Sequence, residues 1–133
     1  MKVTDIPVRT EDRYQLVSIT GEVRRAVEEA GVEEGLCVIS STHTTAAITV
    51  NEDYDRDVPR DLAAACRAFL NTLDVRFDHA EGNSDSHLLT SLFGQSQTLL
   101  VREGELDLGR WQGVFLAEFD GPRSRTVRVA VTG

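Results

Sequence analysis

Strand-length apolar runs fall in groups along this chain, with helical segments between the groups, and that order constrains the fold more than any other feature. Residues 2–8 and 13–17 are the first two such runs. A helix over 19–30 follows, because Ile19, Val23, Ala26, Val27 and Ala30 recur at helical spacing. Ser18 is placed to cap that helix and Gly31 to stop it. Runs 36–41 and 46–50, rich in β-branched residues, predict two buried strands on either side of the polar knot Thr42-His43-Thr44-Thr45. Pro59 suits the first turn of a second helix reaching Thr72, and residues 86–93 predict a short third helix ended by Gly94. The last third is β in character: 98–101 leads into a Glu103-Gly104 turn, and 112–119 joins 125–131 through Asp120-Gly121-Pro122. Strict strand–helix alternation is missing. The chain therefore reads as α+β in two layers, a large and mainly antiparallel mixed sheet with the helices packed on one face.

A chain of 133 residues without repeat, low-complexity tract or linker suits a single domain over 1–133. No apolar run approaches the ~20 residues that span a bilayer, and no basic segment followed by an apolar one starts the chain, so a cytoplasmic protein with no membrane partner is expected. Cys37 and Cys66 lie in apolar surroundings without CxxC spacing and are expected to be buried, reduced hydrophobes. The net charge of −8 argues against nucleic acid as a partner, since phosphate backbones are held by clustered Lys and Arg. No GxGxxG, P-loop or GxSxG is present, which removes support for dinucleotide binding and serine-hydrolase chemistry.

Chemistry concentrates around three histidines. His43, His79 and His87 all sit in polar clusters, and three imidazoles plus water make an open zinc-type site. The eight-residue interval between His79 and His87 differs from the i, i+4 pair of a zincin helix, so the two meet only if the Gly82-Asn83 turn folds the chain back. Between them, Glu81 and Asp85 are candidates to orient ring nitrogens or to act as general acid or base. Ser84 or Ser86 is placed to cap the helix that follows, and a capped surface loop is the simpler reading of the whole stretch. Thr44 and Thr45 offer hydroxyls to a phosphate or to a tight bend. Arg123 and Arg125 supply forks for phosphate, with salt bridges to neighbouring acids as the alternative. Among the acids after the fourth strand, Glu52 is best placed to face such a site, the others suiting a solvated helix N-terminus.

Four strings resemble the signatures of the YjbQ-like family, often labelled secondary thiamine-phosphate synthase. The first is Ser41-Thr42-His43-Thr44-Thr45-Ala46-Ala47-Ile48-Thr49-Val50-Asn51-Glu52, and the second is His79-Ala80-Glu81-Gly82-Asn83-Ser84-Asp85-Ser86-His87-Leu88. Leu108-Gly109-Arg110-Trp111-Gln112-Gly113 and Glu118-Phe119-Asp120-Gly121-Pro122-Arg123 resemble the third and fourth. They lie in the right order over nearly the whole chain. One departure is Arg110, where a small hydroxyl residue is expected before Trp111.

The resemblance implies a two-layer fold with a large mixed sheet and a homotrimer with a site near the subunit interface. It makes His43, His79 and His87 the signature histidines, with Glu81, Asn83 and Asp85 around them. The implied reaction joins a pyrimidine diphosphate to a thiazole phosphate and expels pyrophosphate. In that reading Thr44, Thr45, Asn83, Arg123 and Arg125 hold the phosphorylated metabolite, and a divalent ion offsets the leaving-group charge. A histidine cluster suits zinc or a similar ion, whereas the synthase reaction calls for magnesium, which prefers oxygen ligands. The alternatives are a metal-dependent hydrolase and a non-catalytic trimeric protein that captures a phosphate-bearing metabolite.

Overall fold

In a computed structural model describing residues 1–133, the grouped runs become eight strands and three helices. In chain order these are β1 (Lys2–Arg9), β2 (Gln15–Ser18), α1 (Thr20–Ala30), β3 (Gly35–Ser41), β4 (Ala46–Glu52), α2 (Asp57–Asn71), α3 (Ser84–Phe93), β5 (Ser96–Arg102), β6 (Glu105–Leu106), β7 (Gln112–Glu118) and β8 (Ser124–Thr132). The α+β expectation stands, and every strand pairing is antiparallel. The structure adds a division the sequence did not announce. Five strands form one sheet in the order β1-β8-β3-β5-β6, and three form another in the order β2-β7-β4.

The small sheet is buried on both faces, and β7 shows how. Side chains alternate across a strand, so Val114 and Leu116 point toward the five-stranded sheet and α1, in a core that includes Val23, Val27, Ile39 and Val129. Phe115, Ala117 and the following Phe119 point the other way, against Cys66 of α2 and Leu89 of α3. A strand covered on both sides needs no polar face, which is why 113–117 is an unbroken run of buried residues. Cys37 belongs to the first core and Cys66 to the second, both as free thiols. Burial pushes the Cys37 thiol up to about 11. No helix is long and apolar enough to cross a membrane.

Helix ends depart from the sequence reading in instructive ways. Gly31 does stop α1, in the left-handed conformation at φ 67°, with its N–H donating to Glu28 O. Ser18 does not cap that helix. Its hydroxyl donates instead to Asp53 Oδ2 at 2.6 Å, and Ile19 occupies the N-cap position. Helix α2 begins two residues before Pro59, which leaves proline within the first turn where its missing N–H costs little. Neither Ser84 nor Ser86 caps α3; Asn83 holds the N-cap position, and the Ser86 hydroxyl donates to Phe119 O at 2.6 Å. For Ser18 and Ser86 a tertiary acceptor outcompetes the local amide.

The sheet division decides where a site can form. Residues 42–45 carry the chain from β3 in the large sheet to β4 in the small one, and residues 119–123 carry it back from β7 to β8. Ala46 pairs with Glu118, so both crossovers lie side by side at one end of the molecule. The tip of α3 reaches the same end through Ser86.

Candidate functional site

Between the two crossovers lies a buried ion pair. Glu118 is fully buried at the end of β7, and Arg125 is 5% exposed near the start of β8. Arg125 Nε donates to Glu118 Oε1 at 2.8 Å and Nη2 donates to Glu118 Oε2. The same Nη2 donates to Thr45 Oγ1 at 2.8 Å. The Thr10 hydroxyl completes the carboxylate's shell at 2.7 Å, with the Asp120 amide at 3.1 Å. Burial alone would raise the Glu118 carboxyl, but hydrogen bonds from Arg125, Thr10 and the Asp120 amide outweigh it and hold the group below its ordinary value. Of the two readings of Arg125, the salt bridge is the one realised, and Thr45 is committed with it. Two of the five expected phosphate-holding residues are thus engaged with each other inside the protein, Arg125 as donor and Thr45 as acceptor.

His43 sits half-buried beside this pair. Its Nε2 accepts a hydrogen bond from the Thr126 amide at 2.8 Å. An accepting ring nitrogen carries no proton, so in the neutral ring the proton is on Nδ1. Burial, then the guanidiniums of Arg125 and Arg123, push the imidazole below its ordinary value, against the opposing influence of Glu118. The Thr126 bond selects the tautomer, leaving Nδ1–H as the remaining donor.

A second polar chain runs along the outside of the crossover. Arg123 Nη2 donates to Asp120 Oδ2 at 3.0 Å and its Nε to Asp120 O at 2.8 Å. Asn83 Nδ2 donates to the same Asp120 oxygen at 2.8 Å and to Glu81 Oε2 at 3.3 Å. Asn83 is buried, and its Oδ1 has no partner. Buried acceptors are nearly always satisfied, which makes this oxygen the one unmet polar atom of the network. Asp85 does not join the histidines. Its carboxylate accepts twice from Arg13 Nη2 at 3.1 Å and once from the Tyr14 hydroxyl at 3.3 Å, so it locks α3 to the segment leading into β2.

The Gly82 turn does bring His79 back to His87. Gly82 adopts φ 70°, its N–H donates to His79 O at 3.1 Å, and the two rings meet edge to face with centroids 5.6 Å apart. His87 and Thr44 share a polar cavity of about 380 Å³, also lined by Thr90, Ser91, Gly94 and Gln95. Within one chain, no three His, Cys, Asp or Glu side chains gather as a metal-binding group. His43 has also given Nε2 to Thr126, and a ligand must offer an unprotonated nitrogen. The three histidines as placed in a single chain therefore do not fit the expected three-imidazole centre. Glu52, expected to face the site, pairs with Gln112 at the far end of β4.

Comparison with known proteins matches this architecture. The family described as UPF0047 protein YjbQ-like matches residues 4–133. The chain belongs to the YjbQ-like family. It is 44% identical over 129 residues to a UPF0047 protein of Methanocaldococcus jannaschii, covering 95% of this chain and 91% of that one. It is 38% identical over 131 residues to the UPF0047 protein YugU of Bacillus subtilis, covering 96% and 97%. A crystal structure of a protein of unknown function from Sulfolobus solfataricus superposes with a TM-score of 0.93 at 35% identity, covering 99% of this chain and 96% of that one. Another, a YjbQ/UPF0047 protein from Clostridium acetobutylicum, gives 0.92 at 40% identity, covering 97% and 99%. In this YjbQ-like chain the departing Arg110 has a local use, because its guanidinium lies 4.9 Å over the Trp111 ring.

Glu118, Asp120 and Thr10 are the members of the network that sequence reasoning passed over as functional candidates. Glu118 had one available signal, an acid at the end of an otherwise apolar strand seven residues from an arginine. Thr10 had none.

Proposed function

We propose that this YjbQ-like protein is a cytoplasmic enzyme acting on a small phosphorylated metabolite at the end of the molecule where the two crossovers meet. The observation that carries the reading is His43, a neutral imidazole fixed by Thr126 and flanked by two guanidiniums. Nδ1–H is a hydrogen-bond donor suited to an anionic oxygen. Thr44 and His87 supply polar walls to the adjoining cavity, and Arg123 adds a partly exposed cation. Buried Glu118 and Arg125 keep the crossovers rigid, so the donors are in place before a substrate arrives.

Thiamine-phosphate synthesis is the specific reaction to test. A carbon–nitrogen bond forms between the pyrimidine methylene and the thiazole ring nitrogen, while the carbon–oxygen bond to diphosphate breaks and pyrophosphate leaves with the electron pair. The chain's own donors would stabilise that leaving anion. A divalent ion would reinforce them only with ligands beyond those one chain brings together. A homotrimer is the assembly proposed. Val3, Leu36 and Leu100 stand exposed on the outer face of the five-stranded sheet, and Tyr54 meets Trp111 edge to face at an exposed corner, both features suited to contact between copies.

The test is pyrophosphate release from the two substrates by purified protein, with metal content measured on the same sample. Wild type is expected to turn over, with His43→Ala and His87→Ala losing at least tenfold in kcat/KM, about 1.4 kcal/mol of transition-state stabilisation. Retention of full activity by both folded variants sinks the reading.

A further inference from the structure

We propose that the groove between β2 and α2 is a second ligand site, built for a phosphorylated small molecule that carries a planar ring. The groove has a volume of about 670 Å³, inside the ~300–1,000 Å³ range of small-molecule sites. It shares no lining residue with the cavity beside His87.

Three arginines of one helix face line it. Arg56 immediately precedes α2, and Arg60 and Arg67 follow it by four and eleven residues, intervals that return to within about 40° of the same helix direction. The charged row is therefore roughly 16 Å long at 1.5 Å per residue. Its cations are largely unspent. Arg56 and Arg67 join none of the chain's ion pairs, and Arg60 has only a solvent-exposed contact to Asp57 at 3.9 Å. Asp12 is the only carboxylate on the wall. In a chain of net charge −8, three guanidiniums against one wall carboxylate are a local reversal of sign that a bound anion would relieve.

Arg67 is prepared in a particular way. It is held by the Tyr14 ring, 5.3 Å from the centroid, rather than by a carboxylate, so its N–H groups remain available. Tyr14 is fixed in turn, because its hydroxyl donates to Asp85 Oδ2 at 3.3 Å. A guanidinium layered on one aromatic ring presents its other face to a second planar group. Ala63 and Ala64 leave the middle of the groove open, and Leu16 and Pro59 give it an apolar floor. The arrangement assigns phosphate to the Arg56–Arg60 end, one helical turn apart, and the ligand's ring to the Arg67 end.

Calorimetric titration of the full chain with ADP and with pyrophosphate tests the assignment. ADP should bind saturably and more tightly than pyrophosphate. Arg56→Gln should weaken both by about tenfold, the loss of one charge-assisted contact. Arg67→Gln should weaken ADP by about tenfold while leaving pyrophosphate nearly unchanged, and Ala64→Glu should abolish both. These positions are exposed, so unchanged melting temperatures will confirm that the variants are folded. His43→Ala separates this site from the one above and should leave ADP binding intact. No saturable ADP binding, indifference to Arg67→Gln, or loss of binding in His43→Ala overturns the proposal.

Discussion

Glu118 and Arg125 form a buried ion pair that ties the three-stranded sheet to the five-stranded sheet where the chain crosses between them. Both charges are almost wholly out of water, so each depends on the other for compensation. Glu118→Gln leaves the guanidinium buried beside a neutral amide and is expected to destabilise the fold by about 3–5 kcal/mol. Urea unfolding will measure it. Glu118→Leu with Arg125→Met, which removes both charges, should recover most of that loss. A double variant as unstable as the sum of its single substitutions would show that packing, not charge, holds this junction.

The same pair sets an acid limit. Glu118 titrates below its ordinary 4.5 in the folded chain, so the unfolded chain takes up a proton more readily. Its stabilisation is therefore complete above 4.5 and is lost as pH falls through the lower folded value. The wild-type unfolding free energy should drop steeply below 4.5, and Glu118→Gln, already lacking the contribution, should show a shallower descent there. Parallel curves for the two proteins would locate the acid sensitivity elsewhere.

What could be read from the sequence is what local chemistry determines. Apolar runs located the longer strands, Gly31 stopped α1, and Gly82 turned His79 back onto His87 because each of these acts within a few residues. Partner choice could not be read in the same way. Ser18 and Ser86 had local amides within reach but bond to Asp53 and Phe119, which only the tertiary fold supplies. Asp85 lies between two histidines in sequence, yet Arg13 claims it from the loop between β1 and β2. The split into two sheets had no local signal either, since β4 and β7 are buried on both faces and pattern alone does not name the sheet a buried strand joins. The site was half legible for the same reason. Its residue types were plain, but whether Arg125 would meet a phosphate or Glu118 depended on how two distant crossovers align.

Gly113 marks a place where β7 passes close against the side chains of Asp53 and Thr20. A Cβ there would overlap the Asp53 side chain and crowd Thr20 Oγ1. Asp53 Oδ2 accepts from Ser18 at 2.6 Å and Thr20 at 2.7 Å, and Thr20 Oγ1 accepts from the Val114 amide at 2.9 Å. Gly113→Ala must displace that cluster and is expected to cost about 2–4 kcal/mol in chemical denaturation. Adding Asp53→Gly removes the overlapped atoms and should return part of the loss. If Gly113→Ala melts like wild type, β7 has room to move that the structure does not show.

His43 makes the sharpest prediction because one bond reports on both its tautomer and its charge. Nε2 can accept from the Thr126 amide only while it carries no proton, and the folded ring titrates below its ordinary 6.5. The bond's contribution is thus complete above 6.5 and is lost as pH falls through the lower folded value, where Nε2–H would face Thr126 N–H donor to donor. An NMR titration should place the His43 midpoint below 6.5. His43→Ala should cost about 1–3 kcal/mol by leaving a part-buried amide unpaired, and Thr126 should then exchange its amide proton faster while the centre of β8 keeps its protection. Unchanged Thr126 exchange in His43→Ala, or a His43 midpoint above 6.5, would mean that the ring is charged or turned and that Nδ1–H is not the donor facing an incoming phosphate.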